Sequence, residues 1–324
     1  MWKNLLIFLL PTLGGTSALN GQNILHYRAV LLLAQPIDGG GPPLLALRSF
    51  VRDTEEMYLV LDPDSVTTSV RAAKKFRATP TDWNALHQIW SAKPYLKALD
   101  AARRNDAAQQ DAGLTRINDP EPGITLTADL CPSHLPLDRR IFTALAQTAA
   151  ANERPVPITL SVSGLWIQTH KADLAWLLSA VARGDLRITW TNHTLHHHWE
   201  KDLPLDKNFL LEHGTDLSTE ILGNEELMLE NGLLPSCFFR FPGLVSDKAI
   251  TDQILDWGLI PIGSDAWLAK GQHPQTAGSI VLIHANGNEP VGIDDFLRLL
   301  QQEKPALQRG QWRLLDLREE VKKE

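Results

Sequence analysis

Cysteine is rare in this chain of 324 residues, which contains only Cys131 and Cys237. Two cysteines allow at most one disulfide, and an oxidising compartment would favour it. Each cysteine lies close to a motif described below, so the two residues could also be close in space. Their spacing alone does not decide whether they pair.

Excess positive charge is absent as well. The 31 lysines and arginines are outnumbered by 38 acidic residues, which gives a net charge of −7. Without a dense basic run, this balance argues against nucleic-acid binding and against a polybasic membrane anchor. The segment GGGPP at 39–43 lacks the spaced glycines and the following lysine of a phosphate-binding loop, so we expect a plain loop there.

The first eighteen residues have the pattern of an export signal. A short basic start at 1–4 precedes an apolar run at 5–10 and small residues at 16–18. The apolar run is too short to span a bilayer, no lipobox cysteine follows it, and no later segment is long and apolar enough for a membrane span. We therefore expect export, most simply to a bacterial periplasm. A buried N-terminal strand is the alternative.

The clearest boundary in the remaining chain is the segment NDPEPG at 118–123, where two prolines and a glycine stop any helix. Before it, apolar runs at 29–34 and 57–61 predict short buried strands, and 82–106 predicts a helix with Pro94 in the first turn of its second piece. We expect residues 19–118 to form an N-terminal α/β extension. It could shape a substrate groove, bind a partner or cap the following domain.

From residue 119 to 324, predicted strands alternate with predicted helices. The strands are expected at 124–128, 158–162, 186–190, 236–240, 259–262, 279–283 and 312–316, and the helices at 138–152, 171–183, 216–231, 246–257 and 293–303. This alternation predicts a parallel α/β architecture, and about seven βα units favour a barrel. In such barrels, functional residues collect at the carboxyl ends of the strands. Five polar residues lie at or just past a predicted strand end: Asp129, His193, Arg240, Asp265 and His284.

One short stretch, NHTLHHHWE at 192–200, carries four of the eleven histidines. His193 and His197 are four residues apart, so a helical turn, or a tight turn opening a helix, would aim both imidazoles the same way. Two neutral imidazoles at this spacing can share one metal ion. From this stretch alone, a surface histidine cluster without a role is an equal alternative.

The ordered set of motifs resembles the polysaccharide deacetylase (NodB-homology) family, carbohydrate esterase family 4. The resemblance covers residues from about 124 to 318. TADLCP at 127–132 resembles the first family motif, Thr-Phe-Asp-Asp-Gly-Pro, and HTLHH at 193–197 fits the second, His-(Ser/Thr)-x-x-His, without change. RFPG at 240–243 and IVLIH at 280–284 resemble the third and fifth motifs, and SDAW at 264–267 is a looser match to the fourth. The resemblance implies a distorted (β/α)7-type barrel of the NodB-homology kind.

The resemblance also implies a role for each site residue in removing N- or O-acetyl groups from an acetylated glycan. His193 and His197 would hold a divalent metal ion, with Zn²⁺ expected. Asp129 would be the general base and His284 the general acid.

Arg240 would keep Asp129 ionised, and Asp265 would orient a catalytic imidazole, most simply that of His284. Structural alternatives exist for all four: a strand cap for Asp129, an ion-pair partner for Arg240, a turn residue for Asp265 and a core position for His284. Trp267 is expected in the wall or core first and as a sugar platform second, and Trp199 and His198 either line the groove or cover the barrel rim.

One departure from the family pattern concerns the metal. Leu130 stands where the family has its second aspartate, which ligates the metal with the two histidines, and leucine cannot bind a cation. Two histidines could hold a metal with waters, another residue could substitute, or the site could hold no metal. The candidates for substitution are Asp129, Cys131, His134, His196, His198 and Glu200. We favour a substituted or reduced metal site.

The leading hypothesis is therefore an exported, deacetylase-type hydrolase. The alternatives are a catalytically degenerate protein that binds glycans or assists envelope assembly, and a metal-free hydrolase of another C–N bond on the same barrel. Retention of Asp129, Arg240 and His284 together favours the hydrolase, because a pure binder has little need of both an acid and a base. Neither the sugar, its linkage nor the oligomeric state follows from the sequence.

Overall fold

The computed structural model describes residues 23–118, 120–148, 154–274 and 277–324. The expected export signal lies outside the described residues, and so does the end of the helix expected at 138–152. Within those four ranges, no helix is long and apolar enough to cross a membrane.

The N-terminal region begins with a five-stranded antiparallel sheet. Its strands are β1 (Ile24–Pro36), β2 (Leu44–Arg52), β3 (Glu55–Asp62), β4 (Thr67–Ala72) and β5 (Phe76–Pro80), in the order β4-β3-β2-β1-β5. The runs expected as strands at 29–34 and 57–61 lie within β1 and β3 and are confirmed. Asp53 adopts a φ of 59° in the short turn between β2 and β3, a conformation that aspartate tolerates better than most residues.

Two helices follow the sheet, α1 (Trp83–Trp90) and α2 (Pro94–Arg103). The Asp82 carboxylate caps α1 by accepting from the backbone N–H of Ala85, and Pro94 starts α2 as expected. Apolar residues of this region share one core with residues of the following domain: Leu45, Leu47, Tyr95, Leu96, Leu99, Phe238, Leu255 and Ile260. The extension is therefore packed firmly on the rest of the chain.

A curled parallel sheet dominates the second half. Its strands are β6 (Gly123–Leu130), β7 (Val156–Val162), β8 (Leu186–Asn192), β9 (Phe238–Phe239), β10 (Ile260–Pro261), β11 (Ala266–Trp267), β12 (Ser279–His284) and β13 (Arg313–Leu314). Seven strands follow the order β10-β9-β8-β7-β6-β12-β11, and β13 pairs with the start of β6. Every residue of β6 and β7 is buried, as expected where helices cover a parallel sheet. The predicted distorted (β/α)7-type barrel is confirmed.

Helices connect these strands: α3 (Arg139–Thr148), α4 (Gly164–Thr169), α5 (Lys171–Ala182), α6 (Gly223–Glu230), α7 (Lys248–Asp256), α8 (Pro290–Gln308) and α9 (Leu317–Glu320). The helix expected at 216–231 is a π-helical turn, Ser218–Leu222, that continues into α6. The strand β11 was not predicted, because two residues carry no detectable periodicity.

Residues 114–117, at the end of the N-terminal region, bridge two strands of the barrel. The N–H of Leu114 donates to the carbonyl of Pro261, and the N–H of Ile280 donates to the carbonyl of Thr115. Gly113 allows this approach, since a Cβ at that position would lie 2.1 Å from the Pro261 oxygen. The segment thus connects β10 with the start of β12.

Candidate active site

Six chemically active side chains meet at the carboxyl ends of the barrel strands: Asp129, Cys131, His193, His197, Arg240 and His284. Asp129 is near the end of β6, and His284 is the last residue of β12. His193 directly follows β8, and Arg240 directly follows β9. Parallel strands bring their carboxyl ends to one edge of the sheet, which is why residues so distant in sequence converge.

Cys131, His193 and His197 form a set of possible metal ligands. One ligand atom from each lies within 4.8 Å of the other two, and Cys131 Sγ is 3.5 Å from His193 Nε2. Zinc bonds of about 2.3 Å to sulfur and about 2.0 Å to nitrogen, at a tetrahedral angle, place the two ligands about 3.6 Å apart. His197 Nε2 is buried and has no hydrogen-bond partner among the described residues. The donor set and its spacing therefore fit a zinc-type ion.

Cys131 directly follows β6, and continuing the side-chain alternation of that strand by one residue explains why Cys131, and not Leu130, reaches this cluster. Residues two apart on a strand point to the same face, so Cys131 lies on the side of Asp129. Leu130 is fully buried in the apolar core that also contains Ile141 and Trp166. Cys131 was one of six candidates for a substitute ligand, and its thiol is the one that joins the two histidines.

The histidine loop, residues 193–197, is held in shape by hydrogen bonds to the side chains of Asn192 and Thr194. Asn192 Oδ1 accepts from the N–H of Thr194 at 2.9 Å, and Thr194 Oγ1 accepts from the N–H of His197 at 3.2 Å. Thr194 and His197 have φ angles of 66° and 50°, and no helix forms at 193–200, so the expected helical turn is wrong. The imidazoles of His193 and His197 nevertheless meet, with ring centroids 4.7 Å apart. Positive φ at non-glycine residues costs about 1–3 kcal/mol each and is concentrated at functional sites.

A hydrogen bond identifies the ring nitrogen of His193 that carries a proton. Its Nδ1 is 2.9 Å from the carbonyl oxygen of Arg240, which can only accept, so Nδ1 carries a proton and Nε2 faces Cys131. Burial opposes protonation of His193, but the charges of Asp129 and Cys131 outweigh it and raise the pKa of the imidazole. A metal binds the deprotonated nitrogen, so metal affinity at Nε2 should depend on pH.

The Cys131 thiol lies in a field that favours its ionised form. Burial opposes ionisation, but the imidazoles of His197, His284 and His193 lower the pKa of the thiol well below its usual value. The thiolate is the form that binds metals. Cys237 is also a free thiol, and burial in apolar surroundings raises its pKa to about 12. The two cysteines do not pair.

Asp129 and Arg240 form the polar floor of the site. Arg240 is fully buried, its Nη2 donates to Thr127 Oγ1 at 2.7 Å, and its Nε lies 3.9 Å from Asp129 Oδ1. Asp129 Oδ2 is 3.6 Å from His193 Nε2. Burial lowers the pKa of Arg240 despite the nearby carboxylates. In the described structure Asp129 Oδ1 and Arg240 Nε and Nη1 have no hydrogen-bond partner, so these atoms remain available to a water or a substrate.

His284 is oriented by a residue that the motifs do not indicate. Its Nδ1 lies 2.7 Å from Glu289 Oε2, and the indole N–H of Trp267 donates to the same oxygen at 2.8 Å. The Trp267 ring lies against the imidazole, with centroids 5.5 Å apart. Burial opposes protonation of His284, but Cys131 and Glu289 raise the pKa of the imidazole well above its usual value. Glu289 stands five residues after His284, at the start of α8, where no sequence pattern marks it.

The carboxylate of Asp265, expected to orient His284, makes other contacts. Asp265 Oδ2 accepts from Arg116 Nη1 at 2.8 Å, and its backbone N–H donates to the carbonyl of Ile280. Ile280 is four residues before His284, which corresponds to about 13 Å along a strand. Asp265 is therefore not brought together with the other predicted site residues, and Glu289 takes the position beside His284.

Apart from Asp129, which lies beside His193, the other candidates for a substitute ligand point elsewhere. His196 Nδ1 pairs with Glu220 Oε1 at 2.6 Å, and His198 pairs with Glu212. His134 and Glu200 are exposed to solvent. Trp199 is exposed over 54% of its surface.

No family model matches the sequence. Among solved structures, the chain is similar to a family 4 carbohydrate esterase from Bacillus anthracis, with 20% identity and a TM-score of 0.47 over 69% of this chain and 91% of that one. It is also similar to the peptidoglycan deacetylase PdaC from Bacillus subtilis, with 16% identity and a TM-score of 0.42 over 63% of this chain and 92% of that one. A family 4 pseudoenzyme from Bacillus anthracis matches with 13% identity and a TM-score of 0.42, over 63% and 66% of the two chains. At these values the likeness is one of fold, so the function is argued below from the side chains.

Proposed function

We propose that this protein is a metal-dependent hydrolase that removes N- or O-acetyl groups from a glycan. The observation that carries the proposal is the meeting of three possible metal ligands, Cys131, His193 and His197, with a buried Asp129 and with His284, whose side chain is 12% exposed. A site that only binds a glycan has little need of a candidate base and a candidate acid placed together beside a set of metal ligands.

The metal would be held by Cys131, His193 and His197, and their sulfur and imidazole donors favour Zn²⁺ over ions that prefer oxygen. When bound, such an ion supplies a water of lowered pKa and polarises the acetyl carbonyl. Three protein ligands would also match the usual number at a catalytic zinc site.

The protein's own side chains would move the protons. Asp129 would accept the proton of the attacking water, and Arg240 and His193 lie beside its carboxylate. His284 donates a proton to the departing amine or alkoxide as the bond to the acetyl carbon breaks. The products are acetate and a free amino or hydroxyl group on the sugar. The Glu289 carboxylate lies 2.7 Å from Nδ1 of the His284 ring, so Nε2 is the atom that we expect to donate.

The signal-like start of the chain supports action outside the cytoplasm, where envelope glycans carry acetyl groups. An acetylated glycan of the cell envelope is therefore the substrate class that we propose.

The test is acetate release from acetylated chito-oligosaccharides, acetylated xylan and peptidoglycan by the zinc-loaded protein. We expect turnover of at least one of them and loss of about 10²–10⁴-fold in kcat for Asp129→Asn and His284→Ala, which remove the base and the acid. Cys237→Ser serves as the control, since this buried residue lies outside the site. Sugar binding without acetate from any substrate would support the glycan-binding alternative and overturn the proposal.

A further inference from the structure

A fully buried ion pair joins the N-terminal sheet to the barrel. Arg48 of β2 donates from Nε to Glu225 Oε2 at 2.6 Å and from Nη2 to Oε1 at 3.0 Å, and each side chain is 1% exposed. The Tyr27 hydroxyl of β1 donates to the same carboxylate at 2.9 Å. Arg48 Nη1 donates to the carbonyl oxygen of Trp257, so the guanidinium is itself held in place. Arg48 and Tyr27 of the N-terminal sheet thus both donate hydrogen bonds to the Glu225 carboxylate on α6.

This pair is better suited to fixing geometry than to adding stability. Removing two charges from water costs several kcal/mol for each, and apolar replacements of buried ion pairs are often as stable. A planar guanidinium that meets a carboxylate through two parallel bonds, however, defines both the distance and the orientation of its partner. The Arg48–Glu225 pair therefore sets the position of α6 relative to the sheet.

Asn224, the residue before Glu225 on α6, links this helix to the histidine loop through hydrogen bonds. Its Nδ2 donates to the carbonyl of Val162 at 3.0 Å and to Asn192 Oδ1 at 2.8 Å. Asn192 Oδ1 also accepts from the N–H of Thr194, and its own Nδ2 donates to the carbonyl of Ile221. All of these side-chain contacts are buried, so a shift of α6 should also displace the histidine loop.

The π-helical turn just before α6 holds the same loop at two further points. The N–H of Leu195 donates to the carbonyl of Glu220 at 2.8 Å, and the N–H of His196 donates to Glu220 Oε2 at 3.0 Å. Residues 194–196 connect the two histidine ligands, and segment 218–230 thus supports them from one side. The N–H groups of Gly164 and Leu165 donate to the carbonyls of Thr194 and Leu195 and support the same residues from α4. π-helical turns occur often at functional sites.

We propose that the N-terminal sheet is a positioning element of the metal site and that Arg48 is its positioning residue. Arg48 fixes Glu225, α6 and its preceding turn fix the loop, and the loop fixes His193 and His197. Metal ligands must keep their distances within about 0.2 Å, so a small shift of this support weakens binding. This role for the extension rests on the proposed function only in that the loop binds a metal.

The experiment compares the wild-type protein with Arg48→Met, the double variant Arg48→Met/Glu225→Met and the control Tyr95→Phe. The double variant avoids leaving a lone buried charge and so remains informative if the single variant does not fold. Tyr95 is buried and also joins the extension to the barrel, by donating to the carbonyl of Gly258, but this contact is remote from the histidine loop. The readouts are zinc affinity by chelator competition and hydrogen exchange of the Leu195 and His196 amides in the metal-free protein.

We expect the double variant to bind zinc about 10–100-fold more weakly, the range seen when outer partners of metal ligands are lost. Its Leu195 and His196 amides should exchange faster, whereas Tyr95→Phe should keep wild-type affinity and exchange. A folded double variant with wild-type zinc affinity and exchange would overturn the inference, and so would equal weakening by Tyr95→Phe. If the wild-type protein binds no zinc, the proposed function fails, and the exchange rates alone decide the positioning role.

Discussion

Cys131 Sγ lies 3.5 Å from His193 Nε2, close to the separation of two ligands on one tetrahedral zinc ion. This contact resolves the difficulty posed by Leu130, which stands at the position of a metal-binding aspartate in the family that the motifs resemble. We propose that the thiol of Cys131, which directly follows β6 and faces the site, takes the place of this carboxylate.

Replacing this thiol should abolish the metal site. In Cys131→Ser the affinity for zinc should fall by more than about 100-fold, because a neutral hydroxyl is a poor ligand. This loss exceeds the one expected when a hydrogen-bond partner of a metal ligand is removed. Chelator competition on the purified protein measures the change. Cys237→Ser is the matched control, a second buried cysteine whose loss should leave zinc affinity as it was. Equal affinities in Cys131→Ser and the wild-type protein would show that the thiol is not a ligand.

Placing an aspartate at position 130, as in the family that the motifs resemble, should destabilise the protein. Leu130 is fully buried in the apolar core, and an unpaired carboxylate there should lower the free energy of unfolding by roughly 3–5 kcal/mol. Urea unfolding of Leu130→Asp measures this cost, with the volume-matched Leu130→Met as the control. A stable Leu130→Asp protein with increased zinc affinity would mean that residue 130 faces the site after all.

Glu289 should matter for turnover and not for metal content. Glu289→Gln keeps the shape of the side chain and an oxygen for the Trp267 indole, but it removes the charge that stabilises protonated His284. We expect kcat to fall about 10–100-fold while zinc content is unchanged. Steady-state kinetics and metal analysis of the same sample test this, and a wild-type kcat would contradict the role.

His87 provides a pH-dependent contribution to stability far from the site. Its Nδ1 is 2.7 Å from the carbonyl oxygen of Trp83, and its Nε2 is 2.9 Å from Asp100 Oδ1. The Trp83 carbonyl and then the Asp100 carboxylate raise the pKa of the imidazole. Because the folded pKa exceeds the unfolded one, the contribution is fully present below the unfolded pKa and is lost as the pH rises through the folded pKa.

The variant His87→Gln should therefore be less stable than the wild-type protein at about pH 5.5, and the difference should shrink by about pH 8.5. The side chain is 39% exposed, so the effect should stay below about 1 kcal/mol. Urea midpoints across this range provide the measurement. A difference that grows with pH would contradict the assignment.

The barrel and most of its site follow from local patterns in the sequence. Apolar runs and helix stops locate the strands, and parallel pairing then carries Asp129, His193, Arg240 and His284 to one edge. No motif indicates Glu289, because this residue approaches His284 from the start of α8 and not from the end of a strand. Asp265 was misplaced because a two-residue strand gives no register. The Arg48–Glu225 pair joins residues 177 apart, and no local pattern indicates such a contact.

The most direct test of the central claim is the absorption spectrum of the cobalt-substituted protein. A thiolate bound to Co²⁺ produces a charge-transfer band in the near ultraviolet, which imidazole and carboxylate ligands do not produce. We predict this band in the wild-type protein and in Cys237→Ser, and its loss in Cys131→Ser and His193→Ala. Cobalt bound without the band, or a band that survives Cys131→Ser, would contradict a metal centre built from Cys131, His193 and His197.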